Sequence, residues 1–428
     1  MQASLAYPLP ALDPTPMLDH LERPAGPAPT LRQVLADAGP TYLANGLIAF
    51  IFAATGPVAV ILAVGTGGGL SQAELASWVF GVFFINGLIT LAMSWRYRTP
   101  LGFGWTIPGT VLVGPALQHQ SFAEVIGAFY VTSVLILVLG ASGWVKRVMS
   151  LLPMPVVMGM VAGVFLRFGL DLVRALHADV AVAAPMVLAF IALSAVPALG
   201  RRLPPLIGAL LAGIVTLALL GRVDASAAGQ LGLAQPLVQA PAWSLAAMVE
   251  LVVPLAITVL VVQNGQGVAV LKAARHDPPV NAIAFVCGLG AAASALVGAV
   301  STCLTGPSNA MMSASGDRPR HYTAALTFGA LAVLFGLLAP TFTGLMLATP
   351  KAFIMVLGGL AMVRVLQGAF TSAFGAGRFT LGALVSLLVT VADLSLLNIG
   401  AAFWGLVAGF LVSWWMERQD FAARPPAG

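Results

Sequence analysis

Two apolar stretches of this chain are each interrupted by a proline, and that pairing limits the fold more than any other feature. The first break is Trp105-Thr106-Ile107-Pro108-Gly109-Thr110 and the second is Leu304-Thr305-Gly306-Pro307-Ser308-Asn309. Each would otherwise read as a short membrane span. Backbone that leaves the helix inside a bilayer must find partners for its N–H and C=O groups, so it survives only buried in protein or lining a cavity. A matched pair of Gly/Pro-interrupted segments points to a transport site between inverted repeats. Two proline kinks in ordinary spanning helices are the plainer alternative.

Composition extends the membrane reading to most of the chain. Hydrophobic residues make up 59% of the sequence and charged residues 8%, with a mean hydropathy of +0.96. No soluble core of this size needs so much apolar sequence. The net charge of +5 does not argue for nucleic acid, because Lys and Arg fall in short loops between apolar runs, where they set topology. Residues 1–40 begin polar and Pro-rich and lack the pattern of a signal peptide, so a disordered cytoplasmic tail is expected. Cys287 and Cys303 fall inside apolar stretches and read as packed thiols rather than a disulfide or metal pair. No metalloprotease, P-loop or dinucleotide motif has the context it needs. No catalytic residue, metal or cofactor is therefore expected, and the chain does not read as an enzyme.

Fourteen spanning segments are expected, near 41–64, 76–95, 101–117, 122–142, 153–173, 180–198, 203–221, 245–271, 280–298, 300–314, 321–340, 350–366, 378–395 and 397–416. The charges support an even count with both termini in the cytoplasm. Alternate loops then hold Arg23 and Arg32, Arg96 and Arg98, Lys146 and Arg147, Arg201 and Arg202, Lys272 and Arg275, Arg318 and Arg320, Arg378, and Arg418 and Arg424. The outside loops hold only Arg174, Arg222 and Lys351. Seven plus seven follows, with the second half inverted. Pro108 and Pro307 each sit in the third span of a half. The run 57–63 in span one resembles 267–273 in span eight, and Pro153 precedes Arg167 by the interval that separates Pro350 from Arg364.

The chemistry is expected at the breaks. Gly102-Phe103-Gly104-Trp105 can run extended, and Pro108 suits the first turn of a following half-helix. Pro307 repeats the arrangement, with Thr305 or Gly306 near the cap. Two half-helix N-termini would then meet near mid-membrane, each with partial positive charge and unpaired N–H donors that suit an anion such as a carboxylate. Thr106, Gly109, Thr110, Thr305, Ser308 and Asn309 surround them. Gln263 and Asn264 are adjacent amides in an apolar run, fit either for substrate or for interhelical hydrogen bonds. Thr55-Gly56-Pro57 interrupts span one at a similar depth. Phe52, Phe103 and Trp105 suit an apolar wall or plain packing.

Charges within spans are few, and each counts as a functional candidate. Arg167 and Asp171 are spaced to pair on one helix face. Arg364 is the counterpart of Arg167, and for both, snorkelling to a surface is the competing reading. Glu74 and Glu124 read as helix N-terminal charges, and His276 and His321 as loop residues. Gly159, Gly163, Gly358 and Gly359 would let helices approach closely, for sliding or for static packing.

The run Pro153-Met154-Pro155-Val156-Val157-Met158-Gly159-Met160-Val161-Ala162-Gly163-Val164-Phe165-Leu166-Arg167-Phe168-Gly169, with Trp105-Thr106-Ile107-Pro108-Gly109, resembles the benzoate/proton symporter family of bacterial inner membranes. The resemblance covers nearly all of the chain after residue 40. It implies an all-α membrane protein related in fold to uracil/xanthine permeases and sulfate/anion exchangers. It implies a core domain of spans 1–4 (41–142) and 8–11 (245–340), and a gate domain of spans 5–7 (143–221) and 12–14 (350–416), with a cytoplasmic tail at 417–428. Substrate would bind between the broken spans, with help from spans one and eight. A homodimer also fits proteins of this fold. The nucleobase permeases carry glutamates in spans eight and ten, where this chain has Gln263, Asn264 and Asn309. A buried acid that cycles its proton is the expected coupling device, and Glu250, Asp171 and Asp393 are the candidates. The expectation is a secondary transporter of a small organic anion, an aromatic carboxylate such as benzoate, by proton symport and alternating access. A nucleobase permease, an uncoupled anion exchanger or channel, and a non-transport membrane subunit are the alternatives.

Overall fold

The computed structural model describes residues 20–145, 153–200, 203–222, 232–314, 316–393, 396 and 401–422. Six described helices are long and apolar enough to cross a membrane: Pro40–Gly67, Gln72–Tyr97, Phe122–Ser142, Met154–Ala178, Leu245–Ala273 and Lys351–Phe374. A seventh crossing forms if Arg318–Leu337 and Ala339–Leu347 act together across their 70° bend. Shorter apolar helices at Ile107–Ala116, Val180–Ala195, Pro205–Leu219, Val280–Leu296, Thr380–Ala392 and Ala401–Met416 fill the remaining segments.

Local sequence explains where these helices start. Ser71 and Ser121 each cap a helix, and Glu74 and Glu124 reach back to complete capping boxes. The two acids are thus the helix N-terminal charges their positions suggested. Pro40, Pro205 and Pro340 stand in first turns, where the missing N–H costs nothing. Proline also breaks the first long helix. Thr55 leaves the helical region between Pro40–Ala54 and Gly56–Gly67, and its hydroxyl donates to the carbonyls of Ile51 and Phe52.

At the two breaks the chain runs extended. Phe103–Trp105 (β1) and Thr302–Leu304 (β2) pair antiparallel, with Phe103 opposite Leu304 and Trp105 opposite Thr302. The Thr106 N–H donates to Ser301 O at 3.1 Å and the Thr305 N–H to Gly102 O at 3.0 Å, which lengthens the ladder at both ends. Each broken segment thereby supplies the backbone partners the other lost, which is what survival of non-helical chain inside a membrane requires. Half-helices Ile107–Ala116 and Gly306–Met312 follow directly.

Helix Lys351–Phe374 packs along Met154–Ala178, which also meets Thr380–Ala392, and the latter meets Ala401–Met416. Val180–Ala195 packs with Pro205–Leu219. The strand ladder lies instead among Asn86–Tyr97, Val280–Leu296 and the middle of Leu245–Ala273. Glycines resolve the first packing group. A Cβ on Gly159 would meet Ala383 O at 2.3 Å, and one on Gly359 would meet Leu172 Cβ at 2.7 Å. These contacts lie within that group, so here the small residues serve close static packing rather than a sliding surface.

Two expectations need correction. Residues 20–37, placed by sequence in a disordered tail, are instead held against the helix ends. Pro29 O accepts from the Trp95 indole, Glu22 O accepts from the Tyr97 hydroxyl, and the Glu22 carboxylate accepts from Asn281 and Ala282 N–H at the start of Val280–Leu296. An acid at a helix N-terminus meets both free donors and positive partial charge, which is why a polar segment orders there. Arg167 does not pair with Asp171. It meets Asp393 at 3.2 Å, while Asp171 takes Arg174 at 2.9 Å. His276 and His321 stand in connecting segments as expected, with their ring nitrogens 3.1 Å apart and His321 buried. Lys146, Arg147, Arg201, Arg202 and Arg424 fall outside the described residues.

Candidate substrate cavity

Neighbouring residues at each break take opposite roles. Asn309 accepts the Gly102 N–H at 2.8 Å and donates its amide to Gly102 O at 3.1 Å and Thr305 O at 2.5 Å. It is fully buried and ties β1 to the second half-helix. Asn264 does the same for β2, accepting the Leu304 N–H at 2.7 Å while its amide nitrogen meets Cys287 Sγ at 3.6 Å. Thr106 caps the first half-helix by accepting the Gly109 N–H, and its hydroxyl donates to Thr258 at 2.9 Å. Thr110 donates to Thr106 O. These polar groups hold the crossing together.

Their neighbours point elsewhere. Gln263, Gln266 and Ser308 line a cavity of about 1000 Å³ and make no side-chain hydrogen bond among the described residues. Phe103, Trp105, Pro108, Thr305 and Pro307 line it too, together with Phe52, so the three aromatics of the expected wall do stand at the cavity. Thr305 spends its hydroxyl on Gly102 O at 3.1 Å. The Trp105 indole N–H is buried without a partner among the described residues. Such an orphan donor costs about 1–3 kcal/mol and is uncommon enough to need a reason. Of the residues predicted from sequence, Thr55, Thr106, Gly109, Thr110, Asn264, Gly306 and Asn309 do not line the cavity.

The two half-helix starts lie at opposite ends of the ladder. Thr106 stands beside Ser301 and Thr305 beside Gly102, so about 14 Å of extended chain separates them at about 3.4 Å per residue. The first start is capped by a side chain and the second is not. They do not form one shared focus, and the cavity contacts each through its proline.

The far wall is helix Lys351–Phe374, whose Leu360, Ala361, Arg364, Val365, Gly368 and Ser372 face the cavity at helical spacing. Gly56 is a close approach to that wall. A Cβ there would lie 2.2 Å from Ala361 Cβ and 2.8 Å from Leu206 Cδ2.

A second cavity of about 260 Å³ has a different character, with Arg167, Arg174, Glu250 and Asp393 in its lining. Glu250 is buried and its carboxylate meets His119 Nε2 at 2.9 Å. Of the three proton-coupling candidates, Glu250 and Asp393 line this pocket, Asp171 lines neither, and none lines the large cavity.

Sequence reasoning missed several supports of the crossing. Thr90 accepts the Phe103 N–H at 2.8 Å, Ser94 accepts the Leu101 N–H at 3.1 Å, and Asn86 accepts from the Thr302 hydroxyl at 2.7 Å. The available signal was three polar residues on one face of an otherwise apolar helix. His119 was also missed, because its partner is distant in sequence.

With this geometry, relatives can be compared by what they share. The model of the family described as benzoate membrane transport protein matches residues 36–414. The chain belongs to that family. It is a membrane transport protein, and not an enzyme. Inner membrane protein YdcO of Escherichia coli (strain K12) is 31% identical over 86% of this chain and 94% of its own length. The benzoate membrane transport protein of Acinetobacter baylyi is 24% identical over 86% of this chain and 92% of its own. Among solved structures, the transmembrane domain of the cyanobacterial bicarbonate transporter BicA aligns with a TM-score of 0.57 at 14% identity, over 90% of this chain and 99% of that one. Murine Slc26a9, an anion transporter solved in its inward-facing state, aligns with a TM-score of 0.60 at 14% identity, over 93% and 74%. At these identities the structural likeness speaks to fold.

Proposed function

We propose that this protein is a secondary transporter of a small organic anion, an aromatic carboxylate such as benzoate, working by alternating access in the bacterial inner membrane with both termini cytoplasmic. The observation that carries the reading is the large cavity. It combines an aromatic wall with the unpaired groups of Gln263, Gln266 and Ser308, and such few polar groups in an apolar cleft suit an amphipathic ligand. The family membership and the relative named for benzoate support the substrate class.

In this reading the chain crosses the membrane fourteen times as a seven-plus-seven inverted repeat. The strand-bearing helices are the core domain and the group around Lys351–Phe374 is the gate domain. The large cavity opens between them, and movement of one past the other at Gly56 and Ala361 would carry the site from one side to the other. Proton symport is assigned to Glu250, the one buried acid of the three candidates, with His119 as its partner. A homodimer is the proposed assembly.

One observation favours a second reading, an uncoupled anion exchanger: the large cavity is lined by no carboxylate and no histidine among the described residues. Uptake of radiolabelled benzoate into proteoliposomes, with and without an inward proton gradient, separates the two. Accumulation that follows the gradient supports symport. Uptake that ignores the gradient but responds to trapped anion inside supports exchange. Absence of benzoate uptake by folded protein removes the aromatic carboxylate.

A further inference from the structure

Arg364 is the single charged side chain among the described residues that line the large cavity. The sequence alone allowed it to be a snorkelling cation. In the structure it is exposed on the cavity face of helix Lys351–Phe374, between Ala361 and Gly368. Ala361 is the residue that meets Gly56 across the gap, so Arg364 lies about 4.5 Å further along the helix axis at 1.5 Å per residue. It is therefore placed one helical turn from that close approach.

Its surroundings leave the charge uncompensated. The guanidinium donates to Gln367 Oε1 at 3.1 Å and makes no ion pair with a carboxylate among the described residues. The other arginines within the helices nearby differ. Arg167 is paired with Asp393 and Arg174 with Asp171. A charge at membrane depth is costly and persists where it serves a pathway. An arginine keeps its charge at any working pH and presents a planar fork that matches a carboxylate. The same cavity is lined by the polar groups of Gln263, Gln266 and Ser308, which make no side-chain hydrogen bond among the described residues, and by mostly apolar surface. A cation substrate would be repelled by that single positive charge. A neutral aromatic would gain nothing from it.

We propose that Arg364 is the specificity-determining residue of this cavity, which selects a carboxylate anion by holding it from the gate wall while Gln263, Gln266 and Ser308 hold it from the core wall. This rests on the transporter reading above and deepens it, because it divides the binding site between the two bodies that move. Binding from both walls makes the anion itself the bridge between them.

The test is uptake by proteoliposomes of wild-type protein and of R364Q, R364M and R364K, each first checked as monodisperse. Radiolabelled benzoate, bicarbonate and chloride serve as substrates, with benzamide as an uncharged competitor. For the anion that wild type takes, R364Q and R364M should raise KM by about tenfold or more, the scale of one charge-assisted contact. R364K should fall between wild type and R364M, because it keeps the charge but loses the planar fork. Competition by benzamide should be the same in all four. If wild type takes benzoate and R364Q and R364M match its KM, the assignment of Arg364 is overturned and the aromatic carboxylate reading stands. If wild type takes only bicarbonate and the variants lose it, the aromatic reading falls and the assignment stands, whereas wild type that takes only chloride overturns both. If R364K is as impaired as R364M, charge selection is overturned in favour of a packing role. Folded wild type that takes none of the three anions overturns both.

Discussion

Asn309 and Ser308 are neighbours, as are Asn264 and Gln263, yet the members of each pair do opposite things. Asn309 and Asn264 both accept backbone N–H groups at the strand crossing, while Ser308 and Gln263 line the cavity with no side-chain hydrogen bond among the described residues. One residue of rotation on a helix, about 100°, separates structural duty from a free surface. The lesson is that polar residues at a membrane break divide into those that repair the backbone and those that await a ligand. The first kind should govern stability and the second transport.

The largest expected effect breaks the structural side. Asn309→Ala removes the amide contacts to Gly102 and Thr305 and leaves buried backbone groups unpaired. A loss of about 2–4 kcal/mol is expected, read as a lower thermal midpoint in detergent together with lower uptake. If the midpoint holds and only uptake falls, Asn309 belongs with the ligand contacts. Glu250→Gln comes next. It removes the charge that meets His119 in a mostly buried setting, where breaking a pair costs more than at a surface. The expected loss is on the order of 2 kcal/mol, with the benzoate KM unchanged, since Glu250 does not line the large cavity. A large change in KM would mean that the smaller pocket takes part in binding.

Gln263→Ala sharpens the other side. Uptake should fall about fivefold, the worth of one hydrogen bond near 1 kcal/mol, while the thermal midpoint stays put. A parallel fall in both would make Gln263 structural.

A separate effect concerns pH and lies outside both sets. Burial, with His321 and Arg318 nearby, pushes His276 down from its ordinary 6.5 to about 4. The folded protein therefore keeps this ring neutral where the unfolded chain protonates it. Stability should decline as pH falls from about 6.5 toward about 4 and level off below. His276→Gln should flatten part of that slope in thermal melts taken across the window. An unchanged slope would show that other groups set it.

Much of the fold was legible because its rules are local. Long apolar runs, serine caps followed three residues later by glutamate, and prolines in first turns all act within a few residues. The paired breaks were legible because Pro108 and Pro307 each follow an extended, glycine-bearing stretch. The antiparallel pairing of β1 with β2 was not, since it joins residues about two hundred apart in sequence. That pairing decides which polar residues are used up. Without it, Asn309 and Ser308 look alike, Arg167 is matched to its local neighbour Asp171 rather than distant Asp393, and Arg364 cannot be placed at the cavity. Residues 20–37 misled for the same reason: their partners, such as the start of helix Val280–Leu296, lie far along the chain.

The central claim is that the large cavity beside the strand crossing is where substrate binds. Gln266→Cys offers the most direct test, because Gln266 lines the cavity and is exposed, whereas the two native thiols, Cys287 and Cys303, are both fully buried and should stay silent. The measurement is the rate at which a membrane-impermeant thiol reagent labels this variant in open membranes, with and without benzoate. The account predicts labelling that benzoate slows in a saturable way. Labelling at the same rate at every benzoate concentration would contradict it.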